Sequence, residues 1–174
     1  MKIALIGFGN IGKYLADWIC ANSSFELKYI VARKEIAKET CGFKDHPVQF
    51  KKEVSVDVIN DVDIIIECAT KDVVTQLLKF PEIDETGKKL IVISTGGLYE
   101  NKMALSQLKK CEVILPVGAI AGLDAIKAVN DEITSIGLKT TKHPKSLEGA
   151  PFFENSNIDL ASIQTSQTIW KGKV

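Results

Sequence analysis

Apolar residues along the first two thirds of the chain follow two alternating patterns. Short continuous apolar runs, typical of buried parallel strands, are separated by segments in which apolar residues recur every three or four positions, as in amphipathic helices. Because strands alternate with helices, the pattern predicts an α/β fold with a doubly wound parallel sheet. The predicted strands are Lys2–Ile6, Leu27–Ala32, Asp63–Cys68, Lys89–Ser94 and Glu112–Leu115. The predicted helices are Asn10–Ala21, Asp72–Lys79 and Tyr99–Lys110, with a weaker one starting near Lys34.

The pattern changes at Pro116. Beyond it we predict a helix ending near Asn130, a β-rich tract at Ile133–Lys142 and a last strand at Thr165–Lys173. The sequence therefore predicts two domains, residues 1–115 and residues 116–174. The second is interpreted as part of a smaller α+β domain.

The first strand leads directly into a glycine-rich turn, Gly7-Phe-Gly-Asn-Ile-Gly12, which is followed by the first predicted helix. In a dinucleotide-binding turn of this spacing the first glycine permits the tight turn, the second lets the backbone approach a pyrophosphate, and the third lets helix and strand pack closely. The first helical N–H groups, here those of Asn10 and Ile11, face the phosphates. Strand, turn and helix in this order predict a Rossmann-type dinucleotide-binding domain, whereas the three glycines alone are also compatible with a ligand-free turn.

The charge balance gives no indication of a polyanionic partner. The chain has 22 basic and 22 acidic residues, so its formal net charge is zero, and we expect neither nucleic acid nor an anionic membrane to bind. Its four cysteines lack metal-ligand spacing and are interpreted as reduced thiols, which suits a cytoplasmic protein without a metal site. A small-molecule substrate is the remaining expectation.

The residues after the second strand bear on the choice of dinucleotide. An NAD enzyme usually has an acid here that binds the ribose diol, but this chain has Arg33 and Lys34. A guanidinium can bind a 2′-phosphate through two charge-assisted hydrogen bonds, so these residues favour NADP, with NAD possible. The alternative is that both are solvated residues at the start of a helix.

Small and hydroxyl-bearing residues follow the later strands. Such residues let the chain pass close to a cofactor or hydrogen-bond its ribose and nicotinamide; plain turns are the alternative. Cys68 is interpreted as a thiol lining this region, since no base lies near it in the sequence. The candidate cofactor residues at these positions are Ala69, Thr70, Ser94, Thr95, Gly96, Gly118 and Ala119.

The chain has two histidines, His46 and His143, and each stands alone. Both are interpreted as loop residues, so we assign no catalytic residue. Lys139 and Lys142 could bind a substrate carboxylate, although exposed lysines on a strand are the simpler interpretation.

Four segments together resemble the L-aspartate dehydrogenase family. They are Ile6-Gly-Phe-Gly-Asn-Ile-Gly12, Ile66-Glu-Cys-Ala-Thr70, Ile93-Ser-Thr-Gly96 and, most specifically, Pro116-Val-Gly-Ala-Ile-Ala-Gly-Leu-Asp-Ala125. The tract Leu138-Lys-Thr-Thr-Lys142 is similar to the start of that family's second domain. The resemblance implies oxidative deamination of L-aspartate to iminosuccinate, which hydrolyses to oxaloacetate or feeds NAD biosynthesis, in a homo-oligomer. It also implies that Ala119, with Gly118, lies against the nicotinamide.

The resemblance also has two departures. Family members often carry an acid where this chain has Arg33, which again favours NADP. The family's catalytic histidine lies beyond the last residue here, so we expect residues 1–174 alone to bind NADP(H) and to oxidise aspartate weakly or not at all. A non-catalytic dinucleotide-binding protein and another two-domain oxidoreductase, of the homoserine dehydrogenase or dihydrodipicolinate reductase type, remain alternatives.

Overall fold

The structure is a computed structural model that describes residues 1–36, 42–43, 45–118, 121–154 and 156–172. It contains two compact units, Met1–Leu123 and Asp124–Val174. No helix within the described residues is long and apolar enough to cross a membrane.

The first unit is built on a six-stranded sheet in which every neighbouring pair is parallel. The spatial order is β3-β2-β1-β4-β5-β6. Strands β1 to β3 are added toward one side of the sheet and β4 to β6 toward the other, so the order of strands reverses between β1 and β4. Ligands of such sheets bind outside the carboxyl ends of the strands at this reversal. The strands are β1 (Lys2–Ile6), β2 (Glu26–Val31), β3 (Gln49–Lys51), β4 (Ile64–Glu67), β5 (Lys89–Val92) and β6 (Glu112–Ile114).

Helices follow the strands and return the chain to the start of the next one. We call the side of the sheet where the strands end its carboxyl edge, and the side where they begin its amino edge. The helices of this unit are α1 (Asn10–Cys20), α2 (Val56–Asn60), α3 (Lys71–Leu77), α4 (Glu82–Glu85), α5 (Thr95–Glu100) and α6 (Lys102–Gln107).

Two apolar clusters lie on opposite faces of the sheet because successive strand side chains point to opposite sides. In β1, Ala4 and Ile6 belong to one cluster and Ile3 and Leu5 to the other. All four residues of β4 are buried, as expected for a central parallel strand. The carboxyl end of this strand is therefore fixed by packing on both faces.

The sequence predicted five of these six strands to within about two residues, and the α/β class is confirmed. The short strand β3 was missed because its three residues include one apolar side chain. The single helix predicted at Tyr99–Lys110 is wrong. The structure has α5 and α6, separated at Asn101, whose side-chain amide donates to the Gly97 carbonyl (2.7 Å) and to Thr75 Oγ1 (2.8 Å). Asparagine commonly interrupts helices by such local bonds.

The second unit is helical where it is regular. Helix α7 (Leu123–Ala128) confirms the helix predicted to end near Asn130, and α8 spans Pro151–Glu154. The strands predicted at Ile133–Lys142 and Thr165–Lys173 are wrong for the described residues, which include no strand there. Strand residues need a neighbouring strand for their N–H and C=O groups, and these extended segments pair with none in the described chain. The weaker helix predicted near Lys34 falls mostly on residues 37–41, outside the described ranges.

Candidate functional site

The glycine turn after β1 is held tightly by the backbone around it. Gly7 has a φ of 104°, and a Cβ atom there would lie 2.7 Å from the Cys68 carbonyl oxygen. A Cβ atom on Gly12 would lie 2.3 Å from the Gly7 carbonyl oxygen. Because both obstructions are backbone atoms, side chains at these two positions cannot be accommodated without moving β1, α1 or β4.

Gly9, between them, is in the opposite situation. A Cβ atom built on it meets no heavy atom within 4 Å. Gly9 is also the N-cap of α1 and, having no side chain, cannot itself cap the helix start. The first N–H groups of a helix lack intrahelical acceptors, so this turn offers free donors beside open space.

A cleft of about 1020 Å³ lies over the carboxyl edge of the sheet. It is lined by residues that follow β1, β2, β3 and β4, and its volume is at the upper end of the roughly 300–1,000 Å³ typical of small-molecule sites. Of the candidate residues from the sequence, those lining it are Gly7, Gly9, Arg33, Lys34, Ala69 and Thr70. Asn10 and Ile11 instead line a separate apolar pocket of about 480 Å³ with Tyr14, Leu15, Ile66, Ile91, Ile93 and Pro116.

Three of the cationic residues that line the cleft follow two neighbouring strands. Arg33 and Lys34 follow β2, and Lys52 follows β3. Val31 is the register partner of Lys51, so the ends of these strands lie side by side. Sequence analysis missed Lys52 because it missed β3.

Acidic side chains also line the same cleft. Glu35 and Glu53 each lie next in sequence to one of the cations. Neither acid occupies the position directly after β2, which is Ala32-Arg33.

The end of β4 carries a fully buried carboxylate, Glu67. Its Oε1 accepts the Ala69 N–H (2.7 Å) and the Ser94 hydroxyl (2.9 Å), and its Oε2 accepts the Ser94 N–H (3.1 Å). The side chain thus connects the loop after β4 with the loop after β5. Sequence analysis did not select Glu67, although an acid that ends the run Ile64-Ile-Ile is an available signal.

Cys68, the next residue, has a half-buried thiol. It donates to the Gly7 carbonyl (3.3 Å), which fixes it under the glycine turn. Burial, reinforced by the negative charge of Glu67, raises the pKa of this thiol to about 12. Since the thiolate is the nucleophile, the interpretation of Cys68 as a lining thiol agrees with its surroundings.

The candidate residues Ser94, Thr95, Gly96 and Gly118 follow β5 and β6 and do not line the large cleft. Ser94 precedes α5 and uses its hydroxyl for Glu67, while Thr95 begins that helix. A Cβ atom on Gly96 would meet nothing within 4 Å. Gly118, after β6, has a φ of 64° and is equally unobstructed. Ala119 lies outside the described residues.

Neither histidine joins this group. In His46, which lies in a turn, the N–H donates to the Phe43 carbonyl (3.0 Å). His143 belongs to the second unit, where its Nδ1 accepts the Lys145 N–H (3.3 Å). Lys139 and Lys142 also lie in that unit and are exposed. Within the described ranges, no three His, Cys, Asp or Glu residues are placed to hold a metal ion.

Two families match successive parts of the chain. Residues 1–119 match the family described as "Dihydrodipicolinate reductase, N-terminus". Residues 124–174 match the family described as "Aspartate dehydrogenase, C-terminal".

Curated relatives match across both parts. The chain is 34% identical to an L-aspartate dehydrogenase of Nitrosopumilus maritimus over 98% of its own length and 65% of the relative's. It is 30% identical to that of Methanococcoides burtonii over 99% of its length and 65% of the relative's. A third L-aspartate dehydrogenase, from Bradyrhizobium diazoefficiens, is 28% identical over 99% and 61%. The chain therefore spans slightly less than two thirds of these relatives.

Solved structures show the same fold at low identity. A scyllo-inositol dehydrogenase from Lactobacillus casei with bound NAD(H) and scyllo-inositol has a TM-score of 0.52 at 16% identity, covering 76% of this chain and 41% of that one. A putative myo-inositol dehydrogenase from Sinorhizobium meliloti has a TM-score of 0.51 at 17% identity, with the same coverage. The glycine turn and the parallel sheet with its reversal of strand order agree with the two consecutive family matches. The chain belongs to the L-aspartate dehydrogenase family, with an N-terminal domain of the dihydrodipicolinate reductase type.

Proposed function

We propose that this protein is an NAD(P)-dependent L-aspartate dehydrogenase and that its first unit, Met1–Leu123, binds the dinucleotide. The observation that carries the proposal is the contrast among the three glycines of the turn. Gly7 and Gly12 are closed in by backbone, whereas Gly9 faces open space at an uncapped helix start. This is the arrangement that a bound pyrophosphate needs.

The residues present fit such a cofactor along the carboxyl edge. The N–H groups of Gly9, Asn10 and Ile11 would hold the pyrophosphate, and the closed positions Gly7 and Gly12 would keep the turn in shape. Ala69, Thr70, Ser94, Thr95 and Gly96 would line the ribose and nicotinamide side, with Gly118 and Ala119 beyond them.

NADP is the proposed preference. Arg33, Lys34 and Lys52 line the cleft after the paired strands β2 and β3, and together they could hold the doubly charged 2′-phosphate. NAD remains a possible second cofactor because Glu35 lines the same cleft and could accept hydrogen bonds from a ribose diol.

L-Aspartate is proposed as the substrate because of the second family match and of the relatives named above. The product would be iminosuccinate, which water hydrolyses to oxaloacetate. A bound nicotinamide dinucleotide supplies a hydride acceptor for this oxidation. A dihydrodipicolinate reductase activity is less favoured, since that description matches the cofactor unit alone.

Cofactor titration tests the first part of the proposal. The chain is expected to bind NADPH more tightly than NADH in isothermal titration calorimetry. Arg33→Ala should weaken NADPH binding about tenfold, in line with one lost charge-assisted contact, and should leave NADH binding unchanged. Lys79→Ala, which removes an exposed cation outside the cleft, is the matched control and should alter neither affinity.

Substrate oxidation tests the second part. Residues 1–174 should bind NADP(H) and oxidise L-aspartate weakly or not at all, and any NADP⁺ reduction that is measured should require L-aspartate rather than D-aspartate or L-glutamate. Failure to bind either dinucleotide would refute the cofactor assignment, and dinucleotide binding with reduction driven by a different amino acid would refute the substrate.

A further inference from the structure

Glu67 is the one fully buried charged side chain among the described residues, and it lies at the carboxyl edge of the sheet rather than in the middle of the core. Two loops that leave adjacent parallel strands converge on it. Burying a carboxylate is unfavourable unless its oxygens accept hydrogen bonds, and here three donors satisfy it. We propose that Glu67 is a positioning residue for the dinucleotide, holding the loop after β4 and the loop after β5 in the relative position that the nicotinamide half requires.

The geometry of the bridge carries the proposal. Ala69 contributes one backbone donor, and Ser94 contributes a backbone donor and a hydroxyl. Glu67 also accepts through its main chain, because its carbonyl receives the Ile93 N–H (3.0 Å). Backbone pairing of β4 with β5 thus extends past β5, and the carboxylate continues this connection into the two loops.

The chemistry requires a carboxylate at this position. All three partners are donors, and a carboxylate has acceptor sites alone. A glutamine side chain of the same shape would place its NH₂ group against either the Ala69 or the Ser94 N–H. One loop would then have to move away, or its N–H would remain without a partner.

The inference rests on the proposed function, because it concerns the cofactor of that same site. The two halves of NADPH meet different parts of the edge under that proposal. The adenosine half lies by the glycine turn, Arg33 and Lys52, whereas the three hydrogen bonds that the Glu67 carboxylate accepts come from Ala69 and Ser94. The nicotinamide half lies by Ala69, Thr70 and the Ser94 loop.

The test compares two ligands on the same variants by calorimetry. The first is NADPH, and the second is adenosine bisphosphate carrying the 2′-phosphate, which lacks the nicotinamide half. In Glu67→Gln, NADPH should bind about tenfold more weakly, equivalent to one hydrogen bond to a charged group, while the bisphosphate should bind as in the wild type. Ser94→Ala removes one of the three bonds and should weaken NADPH less. The double variant should resemble Glu67→Gln, since both changes break the same bridge.

Asp84→Asn is the matched structural control. Asp84 Oδ1 accepts three backbone N–H groups, from Lys109 (2.8 Å), Lys110 (2.7 Å) and Cys111 (2.9 Å), at the amino edge. This variant should lower Tm and leave the affinity for both ligands unchanged.

Each other result has a definite meaning. Equal loss of affinity for both ligands in Glu67→Gln, or no loss for either, overturns the positioning role while the proposed function stands. If Glu67→Gln does not fold, unchanged NADPH affinity in Ser94→Ala overturns it. A wild-type chain that binds neither ligand refutes the proposed function and this inference with it.

Discussion

At both edges of the sheet, one carboxylate accepts hydrogen bonds from several donors. At the carboxyl edge Glu67 gathers donors from the loops after β4 and β5, and at the amino edge Asp84 gathers three donors from the segment before β6. A second acid at the amino edge, Asp63, accepts the Lys2 N–H (2.8 Å), and the buried Lys88 amine donates to the Val62 carbonyl. In both places side chains replace the hydrogen bonds that strands lose where they begin or end.

The two edges differ in which hydrogen-bonding groups they leave without a side-chain partner. The amino edge is closed by these side chains, whereas the carboxyl edge keeps an uncapped helix start and an open position at Gly9. Loops at the carboxyl edge are fixed to each other and still present free donors. Under the proposed function, the binding edge is the one whose loops are hydrogen-bonded to each other while the start of α1 keeps N–H groups without a side-chain cap.

Glycine substitutions should give the largest difference between the two edges in the free energy of unfolding. Gly12→Ala forces a Cβ atom against the Gly7 carbonyl oxygen. Because the obstructing atom belongs to the backbone and cannot rotate away as a side chain can, we expect a loss of about 3 kcal/mol in the free energy of unfolding. Gly87→Ala, at the amino edge, has a φ of 62° but no close obstruction, and should lose about 1 kcal/mol. Urea denaturation measures both, and equal losses would contradict the difference in packing.

Gly9→Ala should affect binding and leave folding intact. Its backbone is extended and its Cβ atom would enter open space, so the free energy of unfolding should change by less than about 0.5 kcal/mol, as at surface positions. The new methyl group would occupy space assigned to the pyrophosphate, and NADPH affinity should fall at least about tenfold, or about 1.4 kcal/mol. Calorimetric titration with unchanged affinity would place the dinucleotide elsewhere.

Acid should destabilise the amino edge. The pKa of Asp61 is lowered from 3.8 to about 2 by its hydrogen bond from Lys28, then by that from Tyr29. A carboxyl group with a lowered folded-state pKa stabilises the fold above the unfolded value and loses that contribution as pH falls through the folded value. Thermal stability should therefore decline between pH 3.8 and about 2. Asp61→Asn should flatten this part of a Tm-against-pH curve, and an unchanged slope would contradict the assignment.

The smallest expected change concerns two cysteines, one at each edge. The pKa of Cys68 is raised to about 12 by burial and then by Glu67, and that of Cys111 to about 11 by burial and then by Asp84. Removing each charge while keeping the burial should lower the pKa modestly. Glu67→Gln should therefore speed alkylation of Cys68 alone, and Asp84→Asn that of Cys111 alone.

Peptide mass spectrometry after timed iodoacetamide treatment measures these rates. The pKa of Cys20 is raised by burial and then by Asp17, so its rate should stay constant in both variants. A variant that speeds all three cysteines together would indicate general loosening of the fold.

The sequence predicted the first unit well for a physical reason. Strands such as β4 are buried on both faces, so their apolar runs are continuous and easy to recognise, and the glycine turn needs residues without side chains at fixed spacing. The same reasoning placed Arg33 and Thr70 at strand ends, where both line the cleft.

What the sequence did not reveal depends on contacts between distant segments. The importance of Glu67 depends on hydrogen-bond donors 2 and 27 residues away. The position of Lys52 at the cleft depends on the pairing of a strand of three residues. The strands predicted at Ile133–Lys142 failed for a related reason, because an apolar pattern cannot form a strand without a neighbour to pair with. Leu138 is 71% exposed, so its apolar side chain did not indicate burial.

The Glu67 bridge also has a consequence for exchange with solvent. The amide protons of Ala69 and Ser94, which belong to different loops, are both held by one carboxylate. A fluctuation that moves the Glu67 side chain releases both amides at once, so hydrogen–deuterium exchange at the two positions would share this opening. The loop after β4 and the loop after β5, although separated in sequence by α3, α4 and β5, would then open together at the carboxyl edge.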